Sequence, residues 1–285
     1  MRTDNQEHKA LFAIPSPSHS TEIAITKPLP PQRVITGHKQ TDAYLWVLEV
    51  IKLNEPAHLP AAEEALKKLK VTPKQAQDRY QKYLLDSGAH PLQIAFGTVS
   101  MGNPAASIRR ARENIEKARQ VRAIFGEHSA ALEDVEPEKI IKSSPNYVSD
   151  YHWGWTDKER KAKSIGHSRL IEIDDARRAL VNGYRDVLPE PYTLSDVVRE
   201  FQYWDWLYQM RDCAAREEGW EYGYSQHPEA IYDRENYLEE LMATIKPISR
   251  NEALEVCKWV LANESLNDLG EKTDNIILNL VGECG

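Results

Sequence analysis

Residues 41–88, TDAYLWVLEVIKLNEPAHLPAAEEALKKLKVTPKQAQDRYQKYLLDSG, carry three successive runs of apolar residues at helical spacing. In the first, Tyr44, Leu48 and Ile51 recur at i, i+4 and i+7, Leu45 and Val47 widen the stripe, and Thr41 is placed to cap it. Asn54-Glu55-Pro56 interrupts the pattern. A second run opens near Pro60, a residue tolerated in a first helical turn, and repeats through Ala62, Leu66 and Leu69. Lys70-Val71-Thr72 then forms a short turn. The third run begins at Thr72-Pro73-Lys74-Gln75, where a hydroxyl, a proline and a glutamine occupy the N-cap, N1 and N3 positions of a capping box. Ala76, Tyr80, Tyr83 and Leu84 are its expected inner face, and Gly88 is suited to end it.

Three short helices in this order outline a helix-turn-helix-like unit. Outward from the third point Lys74, Gln75, Arg79 and Lys82, donors of the kind that read base edges and phosphates in a major groove, with Asp78 as a discordant member. Asn103 and Pro104 start a longer helix running to about Phe125, with Ile108, Ala111, Ile115 and Ala118 on its apolar line and Gly126 after it. Arg109, Arg110, Arg112, Lys117, Arg119 and Arg122 crowd its other faces. Two readings follow: Arg109, Arg112 and Arg119 track a phosphate backbone, or the arginines pair with Glu113 and Glu116 at helical spacing.

The flanks differ in character. Residues 1–40 contain Pro15, Pro17, Pro28, Pro30 and Pro31 and read as a flexible arm. Residues 127–168 are polar and irregular, a linker or loop region before a second part at 169–285. A short strand at Arg169–Ile173 is a weak expectation. Beyond it, Asp175–Val187 reads as a helix, and Thr193 with Asp196 opens another that buries Val197, Phe201, Trp204 and Tyr208. A further helix runs through Tyr237, Leu238, Leu241 and Ile245. Ser249 with Glu252 starts one carrying Leu254, Cys257 and Leu261, and a last runs from Thr273 to Val281. The expected fold is mainly α: an N-terminal three-helix bundle (residues 41–126 with the long basic helix), then a second helical bundle, acidic and rich in aromatics.

Charge sharpens the division. The formal net charge of -8 argues against a protein that coats nucleic acid over its whole surface. Between Leu66 and Ala123, however, 12 Lys and Arg face 4 Asp and Glu, whereas between Arg199 and Gly285 the count is 8 against 18. Positive charge therefore gathers where a DNA surface is needed, and the acidic half is suited to a basic protein surface. A homodimer is expected if a specific DNA site is read, because one module offers few base contacts.

The start of the chain has no apolar run after its charges, and no 18 uncharged apolar residues follow one another, so neither secretion nor membrane spanning is expected. Cys213, Cys257 and Cys284 lie far apart without a CxxC pair, which points to unpaired thiols in the cytoplasm. No phosphate loop, GxGxxG or GxSxG occurs, and no cofactor or metal motif is found. Histidines gather with aromatics between Tyr151 and His167, the weakest of three functional readings, an enzyme site. Trp206, Trp220 and Tyr222 belong to an aromatic cluster larger than one helical face can bury, and are the expected anchors of an adaptor or inhibitor.

Overall fold

The computed structural model describes residues 3–21, 27–99, 101–263, 266 and 270–282. The chain is mainly helical, at 65% helix, and no strand occurs among the described residues. None of the described helices is long and apolar enough to cross a membrane. Two compact units emerge: residues 17–128, with 16 Lys and Arg against 11 Asp and Glu, and residues 1–16 together with 129–285, with 20 against 33. They are called the basic and the acidic unit below. Helix α1 (Gln6–Leu11) belongs to the acidic unit.

The basic unit contains α2 (Lys39–Lys52), α3 (Leu59–Lys68), α4 (Pro73–Asp86), α5 (Pro91–Val99) and α6 (Pro104–Phe125). Tyr44, Val47, Leu48 and Ile51 of α2, Ala62 of α3, Ala76 of α4, and Ile108 and Ala111 of α6 meet in one apolar core. Burying such side chains contributes about 1.5–3 kcal/mol for each large residue. Helix α2 starts earlier than its sequence suggests, so Thr41 is a buried helical residue rather than the cap, and Asp42 instead accepts from Thr36 N and Oγ1 at 2.8 and 2.7 Å.

Two segments of this unit depart from expectation. The proline-rich arm is tied down at several points: Trp46 Nε1 donates to Pro30 O at 2.7 Å, and Ser18 N and His19 N donate to Ala123 O. A proline lacks an N–H but keeps its carbonyl, which the indole uses. The segment Ile23-Ala24-Ile25 lies outside the described residues. The connection after Gly88 holds a helix, α5, because His90-Pro91-Leu92-Gln93 repeats the chemistry of Thr72-Pro73-Lys74-Gln75, with Gln93 Oε1 accepting from His90 N and His90 Nδ1 accepting from Leu92 N. Leu84 and Tyr80 of α4 approach Gly97 of α5, while Tyr83, expected inside, is 37% exposed.

The acidic unit is organised around α11 (Leu194–Glu217), which is packed by α1, α12 (Glu229–Thr244) and α13 (Arg250–Ala262). Thr193 and Asp196 form the expected capping box. The inner face of α11 includes Val197, Phe201, Trp204, Leu207 and Met210, all buried. Residues 169–173, where a short strand was expected, and the start of the helix expected at 175–187 form one helix, α10 (His167–Val181), whose Ile173 and Val181 are buried at helical spacing. Helix α14 (Glu271–Val281) packs on α12 and α13. On α13 the buried face is Ala253, Val256 and Val260, one residue off the expected stripe, and Leu254 and Leu261 are exposed. Cys257 is a free thiol; Cys284 lies outside the described residues.

Buried ion pairs hold distant segments of this unit together. In α8 (Glu136–Ser143), within the stretch that reads as irregular, Glu138 accepts from Val135 N and receives Arg211 Nη1 and Nη2 at 2.7 and 2.6 Å. Arg211 donates further to Ala131 O and Glu133 O. Asn5 caps α1 and its backbone N–H donates to Asp196 at 2.9 Å. Phe12 sets its ring edge against Tyr203 and Trp204.

Candidate functional site

Helix α4 is the better-built of the two candidate surfaces in the basic unit. Thr72 Oγ1 accepts from Gln75 N at 3.2 Å and Gln75 Oε1 accepts from Thr72 N at 3.1 Å, so both arms of the box close. Gly88, at φ +75°, leaves the helical conformation beyond the C-cap at little cost. Only Ala76 of α4 is fully buried, and the remainder is available to solvent to differing degrees.

Lys74, Arg79 and Lys82 are exposed on this helix, and none has an ion-pair partner among the described residues. From Lys67 to Lys82 the chain carries six cations against one carboxylate, Asp78. Of these, Lys67 is paired with Glu64 at 2.7 Å. Gln75 stands apart: its side-chain oxygen is committed to the cap, which leaves only its amide N–H groups for a ligand.

The Arg-rich helix is more self-contained. Arg109 lies 3.9 Å from Glu113, Arg119 lies 3.3 Å from Glu116, and Arg112 pairs with Glu63 of α3. Arg109 and Arg112 also line a groove of about 250 Å³ with Glu63, Leu66 and Lys67. These three arginines thus have internal counter-charges, though exposed pairs of this kind are worth only about 0–1 kcal/mol and yield to a competing phosphate. Among the described residues the exposed cations of α6 without an ion-pair partner are Arg110 and Lys117, seven residues apart on one face, and the half-buried Arg122 has none either. No signal in the sequence singles them out, because Glu113 stands at pairing spacing from Arg110 and Lys117 as well as from Arg109.

In the acidic unit, Trp220 is 51% and Tyr222 82% exposed, on the turn after α11. Trp206 is half-buried, its ring 5.5 Å from that of Tyr203. The exposed anchors are therefore two of the three aromatic residues singled out from the sequence.

Between Tyr151 and His167 the side chains of Thr156, Glu159 and Arg160 have structural partners. The His152 ring stands edge-on to Tyr151 and Trp155, and Arg160 donates to Asp150 and to His152 O. A groove of about 450 Å³ runs past Tyr151, Trp153 and Trp155, and Arg177 at its margin is held by Asp233 and Glu229 at 3.1 and 2.6 Å. His167, exposed, opens α10. Among the described residues no three His, Cys, Asp or Glu side chains are grouped to hold a metal ion. No family model, no curated protein and no solved structure matches this chain.

Proposed function

We propose that this chain is a non-enzymatic DNA-binding protein with a regulatory or accessory role, in which α2, α3 and α4 act as a helix-turn-helix-like unit and α4 enters the major groove. The supporting observation is the exposed, unpartnered set Lys74, Arg79 and Lys82 on a helix whose N-terminus is fixed by a two-armed cap. Arg110 and Lys117 extend the contact to phosphates, and Arg109, Arg112 and Arg119 join when DNA outcompetes their carboxylates. The protein works in the cytoplasm, as a homodimer where a specific site is read.

A fluorescence-anisotropy titration of the whole chain against a short mixed-sequence duplex tests this at a series of salt concentrations. Affinity is expected to fall steeply with salt, and Arg79→Ala with Lys82→Ala to lower the slope of log K against log salt by about 2. A chain that forms no complex at low salt, or a double variant with an unchanged slope, rules out this surface.

A second role, docking of a basic protein partner on the acidic unit, is favoured by the exposure of Trp220 and Tyr222 within a unit of strongly negative balance. Retention of a co-purifying protein by a Trp220→Ala, Tyr222→Ala variant counts against it.

A further inference from the structure

In Lys27-Pro28-Leu29-Pro30-Pro31-Gln32-Arg33-Val34 the prolines dictate the backbone. The rings of Pro28, Pro30 and Pro31 fix their own φ near about −65°, and each pushes the residue before it into the extended region. The product is a polyproline II helix, with three residues per turn. Contacts along the segment have that period. Lys27 N donates to Glu55 at 3.1 Å, Pro30 O accepts from Trp46 at 2.7 Å, and Arg33 lies 3.8 Å from Glu49. Residues 27, 30 and 33 thus lay one ridge along the basic unit. Pro28, Pro31 and Val34 form a second ridge, which is exposed, Val34 at 87%, and Leu29 and Gln32 are exposed on the third.

Pro28 and Pro31 make a P-x-x-P segment with a cation at either end, Lys27 and Arg33. Such segments dock in grooves lined by aromatic rings, because the preformed helix loses little freedom on binding. The acidic unit contains a groove of this chemistry, about 450 Å³ in volume. Tyr147, Trp153 and Trp155 line it half-buried, and Tyr151 stands 83% exposed at its edge. Its carboxylates are Asp150, Asp174 and Glu229, and Arg177, the cation beside them, is already held by Asp233 and Glu229. Asp150 is paired with Arg160, whereas the Asp174 carboxylate has no hydrogen bond and no ion pair among the described residues.

We propose that this groove takes the Pro28–Val34 ridge of a second copy of the chain. Pro28 and Pro31 pack on the rings of Tyr151, Trp153 and Trp155, and Arg33 exchanges its long, exposed contact with Glu49 for Asp174 of the other copy. The occupant is a second copy because one sequence carries both halves of the pair, with opposite charge: the arm lies in a unit rich in Lys and Arg, the groove in one rich in Asp and Glu. A seven-residue ridge covers little area, so the association is weak and dynamic. It needs no DNA and stands apart from the role of α4.

A synthetic peptide of residues 27–34, which contains no tryptophan, is titrated into the whole chain while tryptophan fluorescence is followed. Saturable binding is expected. Alanine at positions 28 and 31 of the peptide, or Tyr151→Ala with Asp174→Asn in the chain, is expected to weaken it about tenfold. These substitutions lie at exposed or unpartnered side chains and leave the fold intact. Sedimentation equilibrium of the whole chain without DNA then reads the contact between copies: the average mass rises with concentration. Neither the arm variant, Pro28→Ala with Pro31→Ala, nor the groove variant shows this rise alone, and an equimolar mixture of the two restores part of it, since one arm and one groove remain intact. No saturable change with peptide up to ~1 mM, equal binding of the alanine peptide, or unchanged affinity in the groove variant overturns the assignment. A chain that binds peptide but stays monomeric, or a mixture that does not associate, overturns the second copy as occupant.

Discussion

Glu200 receives Arg234 Nε and Nη2 at 2.7 and 2.9 Å, and neither side chain has any exposed surface. His8 Nε2 lies 2.8 Å from the same carboxylate, and Trp204 Nε1 donates to it at 3.3 Å. Burial presses the Glu200 pKa upward, but Arg234 and His8 outweigh it and hold the carboxyl below its ordinary range. Charges this deep are tolerated because each has its partner, and removing one strands the other.

Glu200→Gln or Arg234→Met is therefore expected to destabilise the acidic unit by about 3–5 kcal/mol, and the pair Glu200→Leu with Arg234→Met to recover part of the loss. Six of the seven tryptophans lie in this unit, so their fluorescence in a urea titration follows it. The lowered pKa makes the Glu200 contribution complete above the ordinary carboxylate value and lost as pH falls towards the folded one. Acid unfolding that is equally steep in wild type and Glu200→Gln contradicts this.

Glu235 has the opposite sign. Its ionisation is opposed in the folded chain by burial and by Glu239 of α12 and Glu200 and Asp205 of α11, with Lys272 engaged by Glu239 and His227 neutral. Stability is unpenalised below the ordinary value of 4.5 and declines as pH rises to about 7. At pH 8, Glu235→Gln is expected to be about 1–3 kcal/mol more stable than wild type, the full shift being discounted for partial solvent access, and near pH 4 equal to it. Unfolding midpoints at the two pH values decide; a gain that does not change with pH excludes titration of Glu235 as its source.

Thr72→Ala removes the hydroxyl arm of the α4 cap and is expected to cost about 1 kcal/mol. Hydrogen exchange localises the effect: the amides in the first turn of α4 lose protection while those of α11 keep theirs. Uniform loss across both units contradicts a local cap.

Gly183 has φ +60°, and a Cβ there would overlap Cβ, Cγ and Cδ1 of Tyr237. Gly183→Ala is expected to cost more than about 3 kcal/mol, through both the backbone and the collision. Gly102, with no positive φ and nothing within 4 Å of its added Cβ, is the control: Gly102→Ala stays within about 0.5 kcal/mol of wild type. Similar unfolding midpoints for the two variants dispose of the steric argument.

Local features were legible in the sequence. The Thr72–Gln75 and Thr193–Asp196 boxes, the glycine after α6 and the spacing of Tyr44, Leu48 and Ile51 each specify a helix from residues within two turns of one another. Helix α5 carried the same kind of signal at His90-Pro91-Leu92-Gln93, masked by the glycines around it. Not legible were features made by distant partners. Nothing near Glu138 announces Arg211, 73 residues away, so an acidic stretch that is stitched into a core reads as a loop. The cations of α6 were visible, but the engagement of Arg112 by Glu63 needed the fold. The groove past Tyr151, Trp153 and Trp155 draws on residues from 147 to 230, and its aromatic members look the same in sequence as those that fill the core.

The hydrogen bonds from residues 5 and 8 to Asp196 and Glu200 span 191 and 192 residues, with the whole basic unit encoded between the two ends. On a translating ribosome adding about 5–20 residues per second, His8 waits roughly 10–40 s before Glu200 exists. The basic unit, complete at residue 128, is synthesised within that interval, and the acidic unit closes only afterwards by capturing a segment made before it. Until then His8 of α1 and Phe12 after it lack the groups they are buried against and are open to a chaperone, and the order of synthesis, as much as final stability, governs how this chain reaches its fold.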